Sequence, residues 1–178
     1  MIEGKVVRLR GWRESDLQIL TEMRNDAALQ AQLLARARGS STPQVRQWLQ
    51  DRSTDPNGLL LIVASRDDDR TLGYLKCSDM GTVDRRAELG ICLHSQAQGR
   101  GVGREVLTLV IPYLRDIWSV RKLSLRVRAD NSRAIACYER VGFERCGLLR
   151  QHVHVDSALR DLVLMEVLLE GRDSACAS

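Results

Sequence analysis

Apolar positions along this chain recur with two periods, and the switches between them predict its elements. Residues 5–10 are short and β-branched and read as a strand; the polar stretch 12–16 then caps a helix carrying Leu17, Leu20 and Met23 at helical spacing. A second helix start is written at 41–43, where Ser41 or Thr42 can cap and Pro43 falls in the first turn, where its missing N–H costs nothing. Residues 30–39 between them keep no clear period and are expected to form a mobile connection. Three strand-like runs come next at 58–65, 71–78 and 86–94, joined by short polar turns, so an antiparallel meander is the simplest topology. Val102, Val106, Val110, Leu114 and Ile117 then trace a helical stripe with Pro112 inside it, where a kink or an early end is expected. Leu123, Leu125 and Val127 alternate with polar neighbours, which predicts a strand with one buried face. A short helix capped by Asn131 or Ser132 ends at Gly142, placed for a left-handed residue. Two final strands, at about 148–155 and 160–169, precede a polar tail, 171–178, expected to fray.

Composition narrows this picture. The length of 178 residues with 44% hydrophobic content suits one domain, taken here as 1–170, and with only 4% aromatics the core must rest on Leu, Val, Ile and Ala. A net charge of +4 without any basic run argues against nucleic acid as a partner. The five cysteines form no paired motif and no histidine stands at metal-ligand spacing, so neither a disulfide framework nor a metal site is expected. No apolar run approaches the roughly 18 residues of a membrane span, and the N-terminus lacks a signal-peptide layout; a cytoplasmic setting without membrane attachment is the default expectation.

The chemistry concentrates in Gln96–Val106, "QAQGRGVGREV", which sets glycines at 99, 101 and 103 just ahead of the helix. Such a loop turns tightly and lets a ligand approach the backbone, while the first helical turn offers unpaired N–H groups and a positive dipole end. Together these form a cradle for an anion, of which a phosphate fits best, with Arg100 and Arg104 as added donors. The pattern lacks the Gly-Lys-Ser/Thr of a nucleotide triphosphatase; its third glycine falls one place too soon for a dinucleotide-binding turn, an alternative that Asp130, as a ribose-binding acid, keeps open. A purely structural strand-to-helix turn is the plain alternative.

The loop, the helix after it and the next strand and helix resemble the GNAT superfamily of N-acetyltransferases, whose acetyl-CoA signature is Q/R-x-x-G-x-G/A. Gln98, Gly101 and Gly103 meet that signature, and Asn131, Tyr138, Gly142 and Phe143 match the motif around the second of those helices. The opening "RLRGWRESDLQIL" and "STPQVRQWL" are similar to the branch that acetylates ribosomal-protein N-termini. The resemblance implies a single α/β (α+β) domain: a mixed, mostly antiparallel sheet of about seven strands, splayed between the fourth and fifth, with flanking helices. It implies acetyl-CoA as cosubstrate and no metal. Amides of Gly99, Arg100, Gly101, Val102, Gly103 and Arg104 would take the pyrophosphate, Ile91, Cys92 and Leu93 would present backbone groups to the pantetheine arm, and Asn131 would contact the same arm or simply cap its helix.

Acyl transfer from a thioester to an amine needs a neutral nucleophile, a polarised carbonyl and a proton for the leaving sulfur. Tyr138 suits the last task, its ordinary pKa of about 10 lying near that of a thiol; a core-packing tyrosine is the alternative. Glu88 is the best base, against a surface carboxylate paired to Arg86 or Arg126. A main-chain N–H near Ile91 or Cys92 would polarise the carbonyl. His152 and His154 share a predicted face with Arg150; Glu22, Asp26 and the weakly patterned segment 30–39 are expected to border the acceptor, and Cys92 and Cys137 read as packing residues. The expected activity is acetyl transfer to a primary amine in a direct ternary complex, with a peptide or protein N-terminus or an amino sugar as acceptor. A polyamine acceptor and a non-catalytic acyl-CoA-binding module are the alternatives, and a homodimer is possible.

Overall fold

The structure, a computed structural model, describes residues 1–81, 83–155 and 157–169. The tail expected at 171–178, with Cys176, lies outside the described residues. The sheet has eight strands in the order β1-β2-β3-β4-β5-β6-β8-β7. They are β1 (Ile2–Glu3), β2 (Val7–Arg10), β3 (Leu59–Ser65), β4 (Thr71–Gly81), β5 (Arg86–Leu93), β6 (Lys122–Arg128), β7 (Glu144–Val155) and β8 (Ala158–Leu168). Only β5 and β6 run parallel; the other pairs are antiparallel. The mixed, mostly antiparallel α/β sheet read from the sequence is therefore present, with one strand more than expected. β1 escaped notice because two residues carry no alternation signal; it pairs with β2, and the turn between them is held from outside by Glu105, which accepts hydrogen bonds from the Lys5 and Val6 main-chain N–H groups.

Alternation along the strands divides the apolar residues between two layers. Leu75, Leu89, Leu123, Leu125 and Val127 meet α4 (Val102–Ile117) and α5 (Ser132–Glu139), where Val106, Leu107, Val110, Leu114 and Ile135 complete the larger core. Leu60, Ile62, Tyr74 and Cys92 point the other way, against α1 (Leu17–Asn25), α2 (Ala27–Gln32) and α3 (Thr42–Ser53). Helix α4 does not end at Pro112 but runs on to Ile117. Leu114, just past the proline, is fully buried, and burial of its side chain is worth more than the single backbone bond that proline removes.

Helix α2 lies partly inside a stretch whose sequence has no period. Asp26 makes it, its side chain accepting from Leu29 N–H at 3.0 Å, and the Gln30 side chain is buried, donating to the Met23 carbonyl at 2.9 Å. Ser41 caps α3, and Gly142 adopts φ 97° after α5, as their positions predicted. Arg10 and Asp16 form a bidentate pair at 2.8 and 2.9 Å, 4% and 1% exposed. Asp16 also accepts from Thr71 Oγ1 at 2.6 Å and from Arg13 N–H at 2.7 Å, while Arg10 Nε donates to Asp69 at 3.1 Å. Burial alone raises the Asp16 carboxyl, but these hydrogen bonds, led by Arg10, outweigh it and leave the acid below its ordinary range. No helix among the described residues is long and apolar enough to cross a membrane.

Candidate active site

The site lies where two parallel strands part. β5 and β6 pair only at Arg86↔Lys122, Ala87↔Leu123 and Glu88↔Ser124, whereas β6 stays paired with β8 along its whole length. From Leu89 onward the β5 edge opens into a gap, the splay expected between the fourth and fifth strands. Register decides which backbone groups line it. In an antiparallel ladder every second residue turns both its N–H and C=O to its partner. His94 N–H donates to the Leu72 carbonyl at 2.8 Å and Cys92 sits opposite Tyr74 two residues back, so His94 and Cys92 face β4. Ile91 and Leu93 then aim their main-chain groups into the gap. Of the two residues expected to offer an N–H, Ile91 has the orientation and Cys92 does not.

Gly99 and Gly101 sit at φ 75° and 79°, in left-handed backbone where a side chain is strained, and Gly101 caps α4. Those two glycines are thus required by the turn itself. Gly103 is different: its φ is ordinary, and a Cβ there would only touch Leu93 and Cys137 at 3.5 and 3.7 Å, so the chain alone does not demand glycine. The first hydrogen bond of α4 runs from Glu105 N–H to the Gly101 carbonyl, which leaves the amides of Val102, Gly103 and Arg104 directed out of the helix end. The Val102 side chain is buried in the core, and Arg100, between two left-handed glycines, is exposed and does not line the cleft. Gln98 braces the loop: its Nε2 donates to the Leu93 carbonyl at 2.8 Å and its Oε1 accepts from Arg133.

Loop, gap and helices enclose a cleft of about 1160 Å³ that brings Glu88, Ile91, Cys92, Leu93, Gln98, Gly99, Gly101, Gly103, Arg104, Asn131 and Tyr138 together. Glu88 is paired to Arg126, whose Nε and Nη2 donate to the same oxygen, Oε1, at 3.1 and 2.9 Å. Oε2 has no hydrogen bond from any described residue. Arg86 pairs instead with Asp84, at 3.5 Å. The Tyr138 ring packs in the core beside Phe143 while the residue also borders the cleft. Burial first, and then neighbouring Cys137, raise its phenol above the ordinary value, so it stays protonated. Asn131 caps α5 by accepting from Ala134 N–H at 3.1 Å. Cys92 is pushed up to about 12 by burial, and burial also raises Cys137; neither presents a thiolate.

Two further expectations are corrected. Asp26 and Glu22 do not line the cleft: Asp26 is committed to capping α2 and Glu22 is exposed on α1. Arg150, His152 and His154 do not share a lining face, because β7 bulges at Gln151, with φ 49° and its N–H held by Asp161, and only His152 reaches the cleft. The weakly patterned segment does line the end of the cleft nearest α1 to α3, Arg36 and Arg38 included, and two residues without a sequence signal, Arg24 and Lys76, join it there. Lys76 lies at a polar position of an alternating strand, and only the register that sets it opposite Gly90 turns it into a wall of the site. Among the described residues, no group of three His, Cys, Asp or Glu side chains is arranged to hold a metal ion.

Comparison with known proteins agrees with this geometry. A model of the acetyltransferase (GNAT) domain matches residues 7–144. The mycothiol acetyltransferase of Rhodococcus erythropolis is 34% identical over 169 residues, which cover 88% of this chain and 50% of that protein. The N-alpha-acetyltransferase RimI of Mycobacterium tuberculosis is 41% identical over 61 residues, 34% of this chain and 36% of that one. Among solved structures, spermidine N-acetyltransferase from Vibrio cholerae in complex with CoA and spermine superposes with a TM-score of 0.84 at 20% identity, over 91% of this chain and 95% of that chain, a likeness of fold. The chain spans half or less of the length of the mycothiol acetyltransferases it matches. The family match over residues 7–144, on a sheet opened beside a glycine-rich helix start, means that this chain belongs to the GNAT acetyltransferase family.

Proposed function

We propose that this chain transfers acetyl from acetyl-CoA to a primary amine in a direct ternary complex. The observation that carries the reading is the cleft in which the β5 edge opened at Leu89 meets the start of α4 at Gly103 and Arg104, with Glu88 and Tyr138 on its walls. The residues fit the cosubstrate. Amides at the α4 terminus and the Arg104 guanidinium suit a pyrophosphate. The open β5 edge suits the amides of pantetheine, which pair with it as an added strand would, and Gly103 leaves room at the helix end that the fold does not need.

In this arrangement the Ile91 N–H donates to the thioester oxygen and stabilises the charge that develops there. Glu88 Oε2 takes a proton from the incoming ammonium, directly or through water, so that the amine attacks neutral. The C–N bond forms and the C–S bond breaks; Tyr138 gives its proton to the departing sulfur, and the proton the new amide nitrogen sheds passes through water to restore the phenol. The raised phenol makes Tyr138 a weak acid, so this transfer is aided by burial of the thiolate rather than by a matched pKa. The products are the N-acetyl amine and the CoA thiol. Cys92 and Cys137 take no covalent part.

Calorimetric titration with acetyl-CoA followed by thiol-release assays tests the reading. Micromolar binding with acceptor-dependent thiol release is expected. Binding without release against peptide, amino-sugar and polyamine acceptors would favour an acyl-CoA-binding module, and no binding would overturn the reading of the loop.

A further inference from the structure

The charges of the cleft are one-sided. Among the described residues that line it, nine are Arg or Lys and a single one, Glu88, is a carboxylate, itself paired to Arg126. Arg104, Arg133 and Arg140 stand at the α4 and α5 side, where phosphates are expected. Arg24 on α1, Arg36 and Arg38 after α2, and Lys76 on β4 do not: they lie on the opposite face of the sheet, toward α1 to α3, the face shared by Glu88 and Gly90. Among the described residues none of these four has a carboxylate within 4.0 Å.

Two of the four are held in place. The Arg24 guanidinium stacks on Trp48 at 4.5 Å, and Trp48 meets Tyr74 edge-on at 5.2 Å, so the cation is clamped over a packed floor. Its Nε is buried and has no hydrogen-bond acceptor among the described residues. The Lys76 stem lies across Gly90, whose missing Cβ leaves it room: a Cβ there would stand 3.1 Å from Lys76 Cε. A planar guanidinium fork and a point charge, both unpaired in one cleft, form a receptor for a carboxylate or a phosphate. A cleft of one sign also focuses its field on incoming ligands and repels those of like charge.

Building on the acetyl-transfer reading, we propose that the acceptor is an amine carrying an anionic group, a carboxylate or phosphate, which Arg24 and Lys76 bind while the amine reaches Glu88. The anion sets KM and the base sets turnover. A polyamine, positive along its whole length, is the acceptor class this wall excludes.

The test compares matched acceptors on the full chain, after acetyl-CoA binding has been measured by calorimetry. The peptides begin with serine followed by two glutamates, two glutamines or two lysines; an amino-sugar phosphate is set against its parent sugar, and spermidine is included. We expect the acidic peptide or the sugar phosphate to exceed its neutral partner by about tenfold or more in kcat/KM, an advantage that shrinks as salt rises. Whichever of the two leads identifies the source of the anion. Arg24→Gln and Lys76→Gln should each raise KM for that acceptor by about tenfold, with kcat and acetyl-CoA affinity little changed. Lys76 is exposed, so its variant serves if Arg24→Gln does not fold. Equal or faster turnover of the lysine peptide or spermidine, loss of acetyl-CoA affinity in both variants, or turnover of no acceptor despite tight acetyl-CoA binding would each overturn the proposal. Failure to bind acetyl-CoA at all would overturn the acetyl-transfer reading with it.

Discussion

Two groups of arginines, both set against the same sheet, behave in opposite ways. At the β2 end, Arg10 is enclosed by Asp16 and Asp69, with its charge answered from within the chain. In the cleft, Arg24 is stacked on Trp48 and forms no ion pair within 4.0 Å among the described residues. The first arrangement holds the turn before α1 and the β3–β4 turn to the sheet; the second leaves its charge for a ligand. Arg10, buried with partners from its own chain, is part of the fold, whereas half-buried Arg24 keeps its charge available to the cleft.

The strongest way to break this contrast is Asp16→Ala, which takes the bidentate partner from buried Arg10 and leaves it only Asp69, and should destabilise the fold by about 3–5 kcal/mol in urea unfolding. A loss of similar size from Lys76→Gln would erase the distinction; a change within about 0.5 kcal/mol is expected there. The first cluster also carries a pH signature. Because folding lowers the Asp16 carboxyl, its contribution is fully present above the unfolded pKa of about 4 and is withdrawn as pH falls through the folded value. The melting temperature should therefore drop steeply on acidification below about pH 4, and less steeply in Asp16→Asn.

Glu88–Arg126 stands between the two extremes, a half-exposed pair inside the cleft. Glu88→Gln should lower kcat by about a hundredfold or more, the range of a lost general base, while leaving acetyl-CoA affinity and stability nearly unchanged. An unaltered pH–rate profile would remove Glu88 from the base role. Among the glycines, Gly101→Ala should cost about 1–2 kcal/mol of stability, as left-handed backbone requires. Gly103→Ala should leave stability within about 1 kcal/mol of the parent, since an unstrained helical position favours alanine, yet weaken acetyl-CoA binding. Equal effects at 101 and 103 would mean that the loop is shaped by its turn alone.

Much of the fold was legible because its signals are local. The alternation of Leu123, Leu125 and Val127, the Ser41–Pro43 helix start and the Gly142 stop each lie within a few residues of the feature they specify. The features that escaped are nonlocal or too short: β1 has two residues, α2 depends on the Asp26 cap and on burial of Gln30, and the β7 bulge depends on Asp161 across the hairpin. The site divides the same way. Gln98 and the glycines were readable as a motif, while the open Ile91 edge comes only from the pairing of β5 with β4.

The sequence by itself determined the periods of the strands and helices, the left-handed turn at 99–101 and the bare amides after it, because backbone preference and helix ends act over a single turn of chain. Only the tertiary structure decided which charges are answered. Asp69 lies 59 residues from Arg10 and meets it, whereas no carboxylate comes within 4.0 Å of Arg24 among the described residues, and Lys76 joins the cleft wall because strand register sets it across Gly90. Charge is written in residue types, but its compensation depends on distances that only packing sets.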